Sequence, residues 1–248
     1  MTLRRLRRAV ALGWAVLISL LHYAVERLRG PMTLERRALW VQVSSLRATR
    51  CLGIECRVEG RPPGRGLVVS NHLSYLDIVL IGSAMPCCFV SKKEVAGWPL
   101  FGLAAKLAGS LFLDRSSHVS ASRVAESMSE RLALPVPILL FPEGTSTDGA
   151  HVLKFHSRLI YPASQIGAPI TAAAVAYRID GGKLPERELC WFGDENFASH
   201  LWKALGVGSF TAILRFGTPK VYADGREAGV RTHAEVTALR GVGPVTSA

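Results

Sequence analysis

The stretch LVVSNHLSYLDIVLI, residues 67–81, sets a short polar island between two strongly apolar runs. The first run has the length and β-branched content of a buried strand, and the second predicts a helix over residues 76–84. His72 then lies in the strand-to-helix turn and Asp77 in the first helical turn. Positions i and i+5 lie about 140° apart on an ideal helix, so the two side chains meet only if Asp77 bends back towards the turn. A carboxylate on one imidazole nitrogen would leave the other to take a proton from a substrate hydroxyl.

A purely structural interpretation of such residues is also open. Ser74 and Asp77 have the spacing of a capping box, which satisfies backbone amides at the start of a helix. Further along, Lys92 and Lys93 fit an exposed charged face, and the PEG sequence at 142–144 fits a tight turn. Each of these interpretations explains one feature, but together they explain poorly why the features recur at the ends of predicted strands.

Short apolar runs alternate with helical patterns over most of the chain. The predicted strands are GLVVS, CCFVS, SLFLD, VPILLF, PITAAAVAY and TAILRFGTPKVY, and helices are predicted near residues 76–84, 100–107, 119–134 and 153–166. Runs that are apolar on both faces indicate a sheet covered by helices on both sides, which is the α/β pattern.

Polar residues follow four of these predicted strands. They are Asn71 and His72, then Lys92, Lys93 and Glu94, then Asp114 and Arg115, and finally the PEGT sequence at 142–145. Ligands bind at the carboxyl ends of the strands in such sheets. We therefore expect a base, several cations and a carboxylate to share one rim.

The amino terminus carries a membrane signal, because the basic sequence MTLRRLRR precedes an apolar run over residues 9–25 and ERLRGPMTLERR follows it. As a helix this run is roughly 25 Å long against a hydrocarbon core of about 30 Å, so it is marginal as a span. Basic residues on both flanks favour a segment that is re-entrant or lies in the interface, with both ends at the cytoplasmic face. A cleaved signal peptide and a buried core helix are the alternatives.

Two further segments have weaker signals. Residues 33–54 predict an amphipathic helix with Leu34, Leu39, Val43 and Leu46 near one side. Within residues 181–208, ELCWFGDENFASHLWKALG suggests a strand, a turn and an amphipathic helix whose aromatic residues belong to the core or to a membrane-facing surface.

Composition limits the function classes. The 248 residues carry a formal charge of +11, which favours a polyanionic partner such as an anionic membrane face, a phosphorylated ligand or nucleic acid. No zinc-finger or helix-turn-helix signature is present and aromatic residues do not interleave the basic runs, so we expect no nucleic-acid partner. The five cysteines lack C-x-x-C spacing, which indicates free thiols and no metal site.

The motifs resemble the glycerolipid acyltransferase family, which includes the 1-acylglycerol-3-phosphate acyltransferases. His72 to Asp77 matches the family's H-x4-D signature. The segments SKKEVAGWPLFG at 91–102, GSLFLDR at 109–115, FPEGT at 141–145 and GAPI at 167–170 are similar to its further motifs, in the same order. The resemblance implies a mixed, largely parallel sheet covered by helices on both faces, with an amino-terminal membrane-associated helical segment.

The resemblance implies transfer of a fatty acyl group from acyl-CoA or acyl-carrier protein to the free hydroxyl of a lysolipid. His72 would be the general base and Asp77 its orienting partner, and no cofactor or metal would be required. The acceptor-binding residues implied are Arg115, Glu143, Gly144, Thr145, Lys92 and Lys93. Arg115 would bind an anionic head group, and Glu143 would engage hydroxyls or a cation such as Arg115. Three groups are candidates for stabilising the oxyanion: the backbone amides at the helix start after His72, Lys92, and Lys93.

Two departures from the family pattern fall on the acceptor side. Many members have an arginine after E-G-T, whereas Ser146 and Thr147 follow here, and the usual F-K pair is Phe155 and His156. Fewer fixed cations weaken the case for a phosphate head group. Lysophosphatidate, 1-acyl-sn-glycerol-3-phosphate, is nevertheless the first expectation, with lyso-ornithine lipid or another lysophospholipid as the alternative.

The predicted organisation has three parts: a membrane-associated helical segment over residues 1–53, an acyltransferase domain over 54–240 and a flexible tail over 241–248. The expected location is the cytoplasmic face of the inner membrane, with the lipid bilayer as a partner. The rival from another class is a basic membrane-binding protein that has the fold and no catalytic activity.

Overall fold

The computed structural model describes residues 2–98, 100–114 and 118–241, and in this part of the chain an α/β fold is formed. The helices are α1 (Thr2–Leu28), α2 (Leu34–Leu52), α3 (Leu76–Ala84), α4 (Phe101–Leu107), α5 (His118–Leu132), α6 (Tyr161–Gln165), α7 (Phe197–Gly206) and α8 (Gly225–Arg240). The strands are β1 (Ile54–Glu59), β2 (Leu67–Ser70), β3 (Cys88–Lys92), β4 (Leu111–Leu113), β5 (Ile138–Leu140), β6 (Ile170–Ile179) and β7 (Phe210–Phe216).

The strands form one mixed sheet in the order β1-β7-β6-β2-β5-β3-β4. Neighbouring strands run parallel except β6 and β7, which are antiparallel. The predicted mixed, largely parallel sheet is confirmed. Because β2, β5, β3 and β4 are parallel neighbours, the residues that follow them lie along one edge of the sheet, as the sequence predicts.

Helices cover both faces of the sheet. One core contains Val68, Leu80, Val175 and Leu214 and lies on the side of α2, α3 and α7. The other contains Leu67, Val69, Leu140 and Met128 and lies on the side of α5, α6 and α8. Val68 and its neighbours Leu67 and Val69 are fully buried, because side chains alternate along a strand and both faces of β2 are covered.

The first two helices pack against each other and against the sheet layer. The indole of Trp40 on α2 donates to the carbonyl of Ser19 on α1 over 2.7 Å. On its other side α2 approaches α3 closely, since a Cβ on Gly82 would lie 2.8 Å from Ser45 Oγ. The buried side of α2 contains Ala38, Trp40, Val41, Ser45 and Thr49, whereas Leu39 is 53% exposed. The prediction that Leu39 lies on the packed side of α2 is therefore wrong, because α1 and α3 pack against other sides of this helix.

Two other local predictions fail for tertiary reasons. Residues 153–156 are not helical, and the predicted helix over 153–166 is reduced to a 3-10 turn, Ser157–Leu159, and the short α6. The His156 amide donates to the carbonyl of Pro142 over 2.9 Å, so this segment is bound to the loop after β5. The strand suggested near ELC is a 3-10 turn, Glu186–Leu189.

The sequence prediction also omitted β1, whose alternating polar pattern, IECRVE, gave no buried run. It is an edge strand that pairs with β7. The division at residue 53 stays a prediction. Most of the predicted tail, residues 242–248, and the candidate head-group residue Arg115 lie outside the described residues.

We expect Gly66→Ala to lower the free energy of unfolding by at least about 2 kcal/mol. Gly66 has φ +88° immediately before β2, and an added Cβ would lie 2.2 Å from the Pro169 carbonyl oxygen. That oxygen accepts the Leu67 amide at the start of the strand. Gly64→Ala is the matched control, because nothing lies within 4 Å of its Cβ position. Urea unfolding in detergent measures both, and equal stabilities would contradict the packing described here.

Candidate active site

His72 and Asp77 meet in the turn between β2 and α3. His72 Nδ1 lies 2.8 Å from Asp77 Oδ2, so the predicted contact across five positions is confirmed. The same carboxylate oxygen accepts the backbone amides of Leu73 at 2.6 Å and Ser74 at 3.0 Å. The capping interpretation is thus correct as well, since Asp77 satisfies amides at the helix start while it holds the imidazole.

The second oxygen of Asp77 has its own donor. The hydroxyl of Tyr177, on β6, donates to Asp77 Oδ1. Both side chains are buried, and Asp77 has no exposed surface. Burial, followed by the charge of Asp77, raises the pKa of Tyr177 well above its usual value, so the phenol is a donor throughout the physiological range.

The imidazole of His72 is fixed by one ring nitrogen and by stacking. A carboxylate accepts and cannot donate, so Nδ1 carries the proton and Nε2 keeps its lone pair. The ring lies on Phe141, with centroids 4.1 Å apart and an angle of 15° between the planes. The side chain is 18% exposed, which suits a base that must reach a substrate hydroxyl.

Glu143 stabilises the turn that carries His72 by accepting two backbone amides. Its Oε1 accepts the His72 amide at 2.8 Å, and its Oε2 accepts the Leu153 amide at 2.7 Å. We expected hydroxyls or a cation as partners of Glu143, and the described partners are these two backbone amides. Burial raises the pKa of Glu143 to about 7, although both amide hydrogen bonds act in the opposite direction.

Asn71 holds the start of the same turn to β6. Its side-chain amide donates to the Val175 carbonyl at 3.1 Å, and its Oδ1 accepts the Val175 amide at 2.8 Å. The last pair in the β2–β6 register is Ser70 with Ala173. Beyond this pair, the side chain of Asn71 bonds the amide and the carbonyl of Val175, which β2 no longer reaches. The chain can therefore leave the sheet at His72.

The cations predicted for this rim lie at the ends of β3 and β4. Lys93 Nζ lies 2.9 Å from Asp114 Oδ2, and Asp114 raises the pKa of Lys93, mainly through the hydrogen bond. Lys92 is exposed and has no side-chain partner among the described residues. Lys92 is the last residue of β3 and Lys93 follows it, while Glu143 follows the adjacent β5, so these residues share the rim with His72.

The rest of the PEGT sequence shapes the turn after β5. Gly144 has φ +78°, which favours glycine, and its amide donates to the Phe141 carbonyl over 3.1 Å. Thr145 is exposed at the rim. Further along, the amide of Thr147 donates to the His72 carbonyl over 2.9 Å. Thr147, in the segment that departs from the family pattern, thus helps to hold the turn that carries His72.

The hydrogen bonds narrow the candidates for stabilising an oxyanion. The amides of His72, Leu73 and Ser74 all donate to carboxylates, to Glu143 in the first case and to Asp77 in the other two. These three amides are therefore not directed at a substrate. Lys92, which the sequence also suggested, is the described candidate that has its charge available.

Several contacts of the site escaped the sequence prediction. Asn71 was expected at the rim and Phe141 lies within the FPEGT motif, but the bonds of Asn71 to Val175 and the stacking of Phe141 on His72 were not predicted. Tyr177 lies 100 residues from Asp77, and no local pattern links the two. In the described part of the chain no group of three or more His, Cys, Asp or Glu side chains is arranged to hold a metal ion.

Comparison with protein families matches residues 53–176 to the family described as Acyltransferase. The lyso-ornithine lipid O-acyltransferase of Pseudomonas aeruginosa is 36% identical over 198 residues, which cover 79% of this chain and 74% of that protein. The enzyme of the same description from Rhodobacter capsulatus is 34% identical over 195 residues, covering 75% and 70%.

Two further similarities complete the comparison. The 1-acyl-sn-glycerol-3-phosphate acyltransferase of Neisseria gonorrhoeae is 29% identical over 161 residues, covering 63% of this chain and 62% of that protein. The crystal structure of PlsC, the 1-acyl-sn-glycerophosphate acyltransferase from Thermotoga maritima, matches with a TM-score of 0.62 and 20% identity, over 96% of this chain and 95% of that one. This likeness shows the fold.

We expect Glu143→Gln to remove a pH dependence of stability. The folded pKa of Glu143, about 7, lies above its usual 4.5. The contribution of Glu143 to the free energy of unfolding is therefore fully present below pH 4.5 and is lost as the pH rises to about 7. The total loss is on the order of 3 kcal/mol. Glutamine cannot titrate. The unfolding free energy of the wild type minus that of Glu143→Gln, measured from pH 5 to 8, should fall with rising pH. A constant difference would contradict the raised pKa assigned to Glu143.

Proposed function

The chain belongs to the acyltransferase family, as an enzyme that acts on lysolipids, and from that premise we propose that His72 is its general base, with Asp77 orienting the imidazole. The observation that carries this proposal is the buried carboxylate 2.8 Å from His72 Nδ1, with Nε2 left for a substrate. A positioned base of this kind typically contributes 10²- to 10⁴-fold in rate.

The proposed reaction needs no nucleophile from the protein. Nε2 of His72 takes the proton of the acceptor hydroxyl as its oxygen attacks the thioester carbonyl of the acyl donor. A new C–O bond forms and the C–S bond breaks. The imidazolium then returns the proton to the departing sulfur, so His72 ends as it began. Acyl-CoA or acyl-carrier protein supplies the acyl group, and neither a metal nor a prosthetic group takes part.

We propose Lys92 as the residue that faces the developing oxyanion or the anionic part of a substrate. It is exposed at the end of β3, and Glu143 follows the adjacent strand β5. The neighbouring amides are engaged by Asp77 and Glu143. Lys93 is paired with Asp114, so its charge is partly neutralised. Arg115, beside Asp114 in sequence, is proposed to bind the head group.

Lyso-ornithine lipid is the acceptor we now favour over lysophosphatidate. The ornithine head group has a carboxylate and a side-chain ammonium, so it demands fewer fixed cations than a phosphate does. Ser146 and Thr147 stand where many members of the family have an arginine, and Thr147 is occupied with the His72 carbonyl. The Pseudomonas and Rhodobacter enzymes described above, both named for this acceptor, share 36% and 34% identity with the chain.

Lysophosphatidate is the second candidate. It is supported by the 29% identity to the Neisseria enzyme, which is named for that substrate. The exposed charge of Lys92 is also compatible with a phosphate.

We propose that α1 lies in the plane of the membrane interface rather than crossing the bilayer. It is 27 residues long, about 40 Å, and is long and apolar enough to span. Its amino-terminal end, however, is bound to the domain, and its carboxyl-terminal end is bound to α2. Arg8 donates to the carbonyl of Gly208 just beyond α7 over 2.8 Å. At the other end Arg36 of α2 lies 2.7 Å from Glu26.

The outward side of α1 is a continuous apolar stripe. Its residues lie at intervals of three and four and are 44–88% exposed: Leu3, Leu6, Val10, Trp14, Leu17, Ile18, Leu21, Val25 and Leu28. One-sided exposure of this kind, beside arginines, suits a helix embedded in the headgroup region. A helix that is bound at both ends keeps both of its basic flanks on one side of the bilayer. This supports the proposed location at the cytoplasmic face, with the active site next to its lipid substrate.

We expect the purified wild-type protein in detergent to transfer acyl groups to lyso-ornithine lipid, and His72→Ala to lose activity by at least about 10²-fold. Both carriers are offered as labelled acyl donors, and lyso-ornithine lipid and lysophosphatidate are offered side by side. His151→Ala, an exposed histidine outside the proposed machinery, is the matched control and should stay active.

Each outcome of this assay has one meaning. Transfer to lysophosphatidate alone would replace the proposed acceptor and keep the mechanism. Activity that survives in His72→Ala, or a wild type that transfers to neither acceptor, would overturn the proposed mechanism.

We expect the triple substitution Trp14→Ser, Leu17→Ser and Leu21→Ser to weaken binding to anionic phospholipid vesicles at least about tenfold, because it removes apolar surface that enters the interface. Vesicle flotation at high salt measures this, since salt screens the contribution of the arginines. The control is Val221→Ser with Val230→Ser, which removes exposed valines from another part of the surface. Equal losses in the two variants would contradict the assignment of the stripe to the membrane.

A further inference from the structure

Tyr177 is the residue that joins the second oxygen of Asp77 to the sheet. It lies near the carboxyl end of β6, beyond the point where β2 has left the ladder. Its hydroxyl donates to Asp77 Oδ1, while Oδ2 of the same carboxylate receives His72 and two backbone amides. Tyr177 is buried, so it does not reach the rim where the acceptor binds.

The backbone at Tyr177 is held as firmly as its hydroxyl. The Tyr177 amide donates to Glu186 Oε1 over 2.6 Å. The other oxygen of Glu186 accepts from Arg240, the last residue of α8, which also donates to the Gly149 carbonyl over 3.1 Å. Arg240 is 9% exposed. A partly buried ion pair therefore fixes the strand end from which Tyr177 reaches Asp77, and it joins this strand to the loop that follows the PEGT turn.

The ring of Tyr177 is also confined by packing. It meets Phe210 of β7 edge-to-face, with centroids 5.9 Å apart. The hydroxyl is therefore held by a strand, an aromatic contact and a buried carboxylate. Any buried tyrosine needs a partner for its hydroxyl, and for Tyr177 that partner is the carboxylate that also holds His72.

We infer that Tyr177 is a positioning residue for acyl transfer, which holds Asp77 so that Oδ2 faces His72. This inference rests on the proposed role of His72 as the base. Two donors on separate elements, the turn and β6, fix both oxygens of the carboxylate and so fix its plane. Tyr177 also draws negative charge from Asp77, which lowers the attraction of the carboxylate for a proton on His72.

Removal of the hydroxyl has two expected effects. The carboxylate loses its donor on Oδ1 and is held less precisely against the imidazole, so kcat falls. Its charge then acts more strongly on His72 and stabilises the imidazolium, so the acidic limb of the pH–rate profile moves to higher pH. The acceptor is not touched by Tyr177, so KM is unchanged. The other charged or titratable groups that surround this part of the site in the described structure are Glu143, Asp148, Glu186, Cys190 and Arg240.

The test is the pH–rate profile of Tyr177→Phe with acyl donor and lysolipid. We expect kcat to fall about tenfold, the scale of one hydrogen bond to a charged group, with KM unchanged and the acidic limb shifted upward. Tyr75→Phe is the matched control. It also removes a buried tyrosine hydroxyl, which lies 3.0 Å from His200 Nδ1 and does not bond Asp77. It should lose stability and keep the wild-type profile.

A second variant has the opposite expected sign and keeps the ring. Site-specific replacement of Tyr177 by 3-fluorotyrosine makes the phenol a stronger donor, so the acidic limb should move to lower pH. This variant decides the question if Tyr177→Phe does not fold.

The inference is overturned if Tyr177→Phe changes KM alone, if its profile superimposes on that of the wild type, or if the fluorinated protein shifts in the same direction as Tyr177→Phe. Such results with an active wild type and an inactive His72→Ala would leave the proposed function intact. A wild type without acyl transfer would overturn both.

Discussion

The site depends on one buried carboxylate, Asp77, whose two oxygens accept four hydrogen bonds. Burial of a charge is costly unless donors surround it, and here the donors come from the imidazole, two turn amides and a tyrosine on a neighbouring strand. The same interaction ends β2, starts α3 and fixes the tautomer of His72. Fold and site geometry are therefore not separable at this position: the residue that caps the helix is the residue that orients the imidazole of His72.

The second constraint is the difference in length between β2 and β6. β2 has four residues and β6 has ten, so β6 continues past the turn with backbone groups that need partners. Asn71 satisfies those of Val175, and Glu186 satisfies the amide of Tyr177. On the other side Glu143 joins the His72 amide to the loop after β5. Side chains thus replace the missing strand, and the space gained is the rim at which the His72 side chain is partly exposed.

The sequence predicted the parts of this arrangement that depend on local pattern. The apolar runs indicated a sheet covered by helices on both faces, and the family resemblance implied that it is mixed and largely parallel. α3 was predicted with its observed bounds, and the i to i+5 contact of His72 with Asp77 was expected from the strand-to-helix turn. Long-range contacts were not accessible. The helix predicted from residue 153 is replaced by coil because Glu143 and Pro142 bind its amides, and Tyr177 joins the site only because β6 lies beside β2. The exposed edge strand β1 has no buried run to reveal it.

The proposed role of His72 is to activate the acceptor hydroxyl for direct attack, without an acyl-enzyme. Intact-mass spectrometry of the purified protein tests this role after rapid mixing with acyl donor in the absence of acceptor, followed by a chase with lyso-ornithine lipid. We expect the protein to keep its unmodified mass before the chase and product to form only when the acceptor is added. A protein species heavier by one acyl group, formed before the chase and consumed by it, would overturn direct attack by the acceptor.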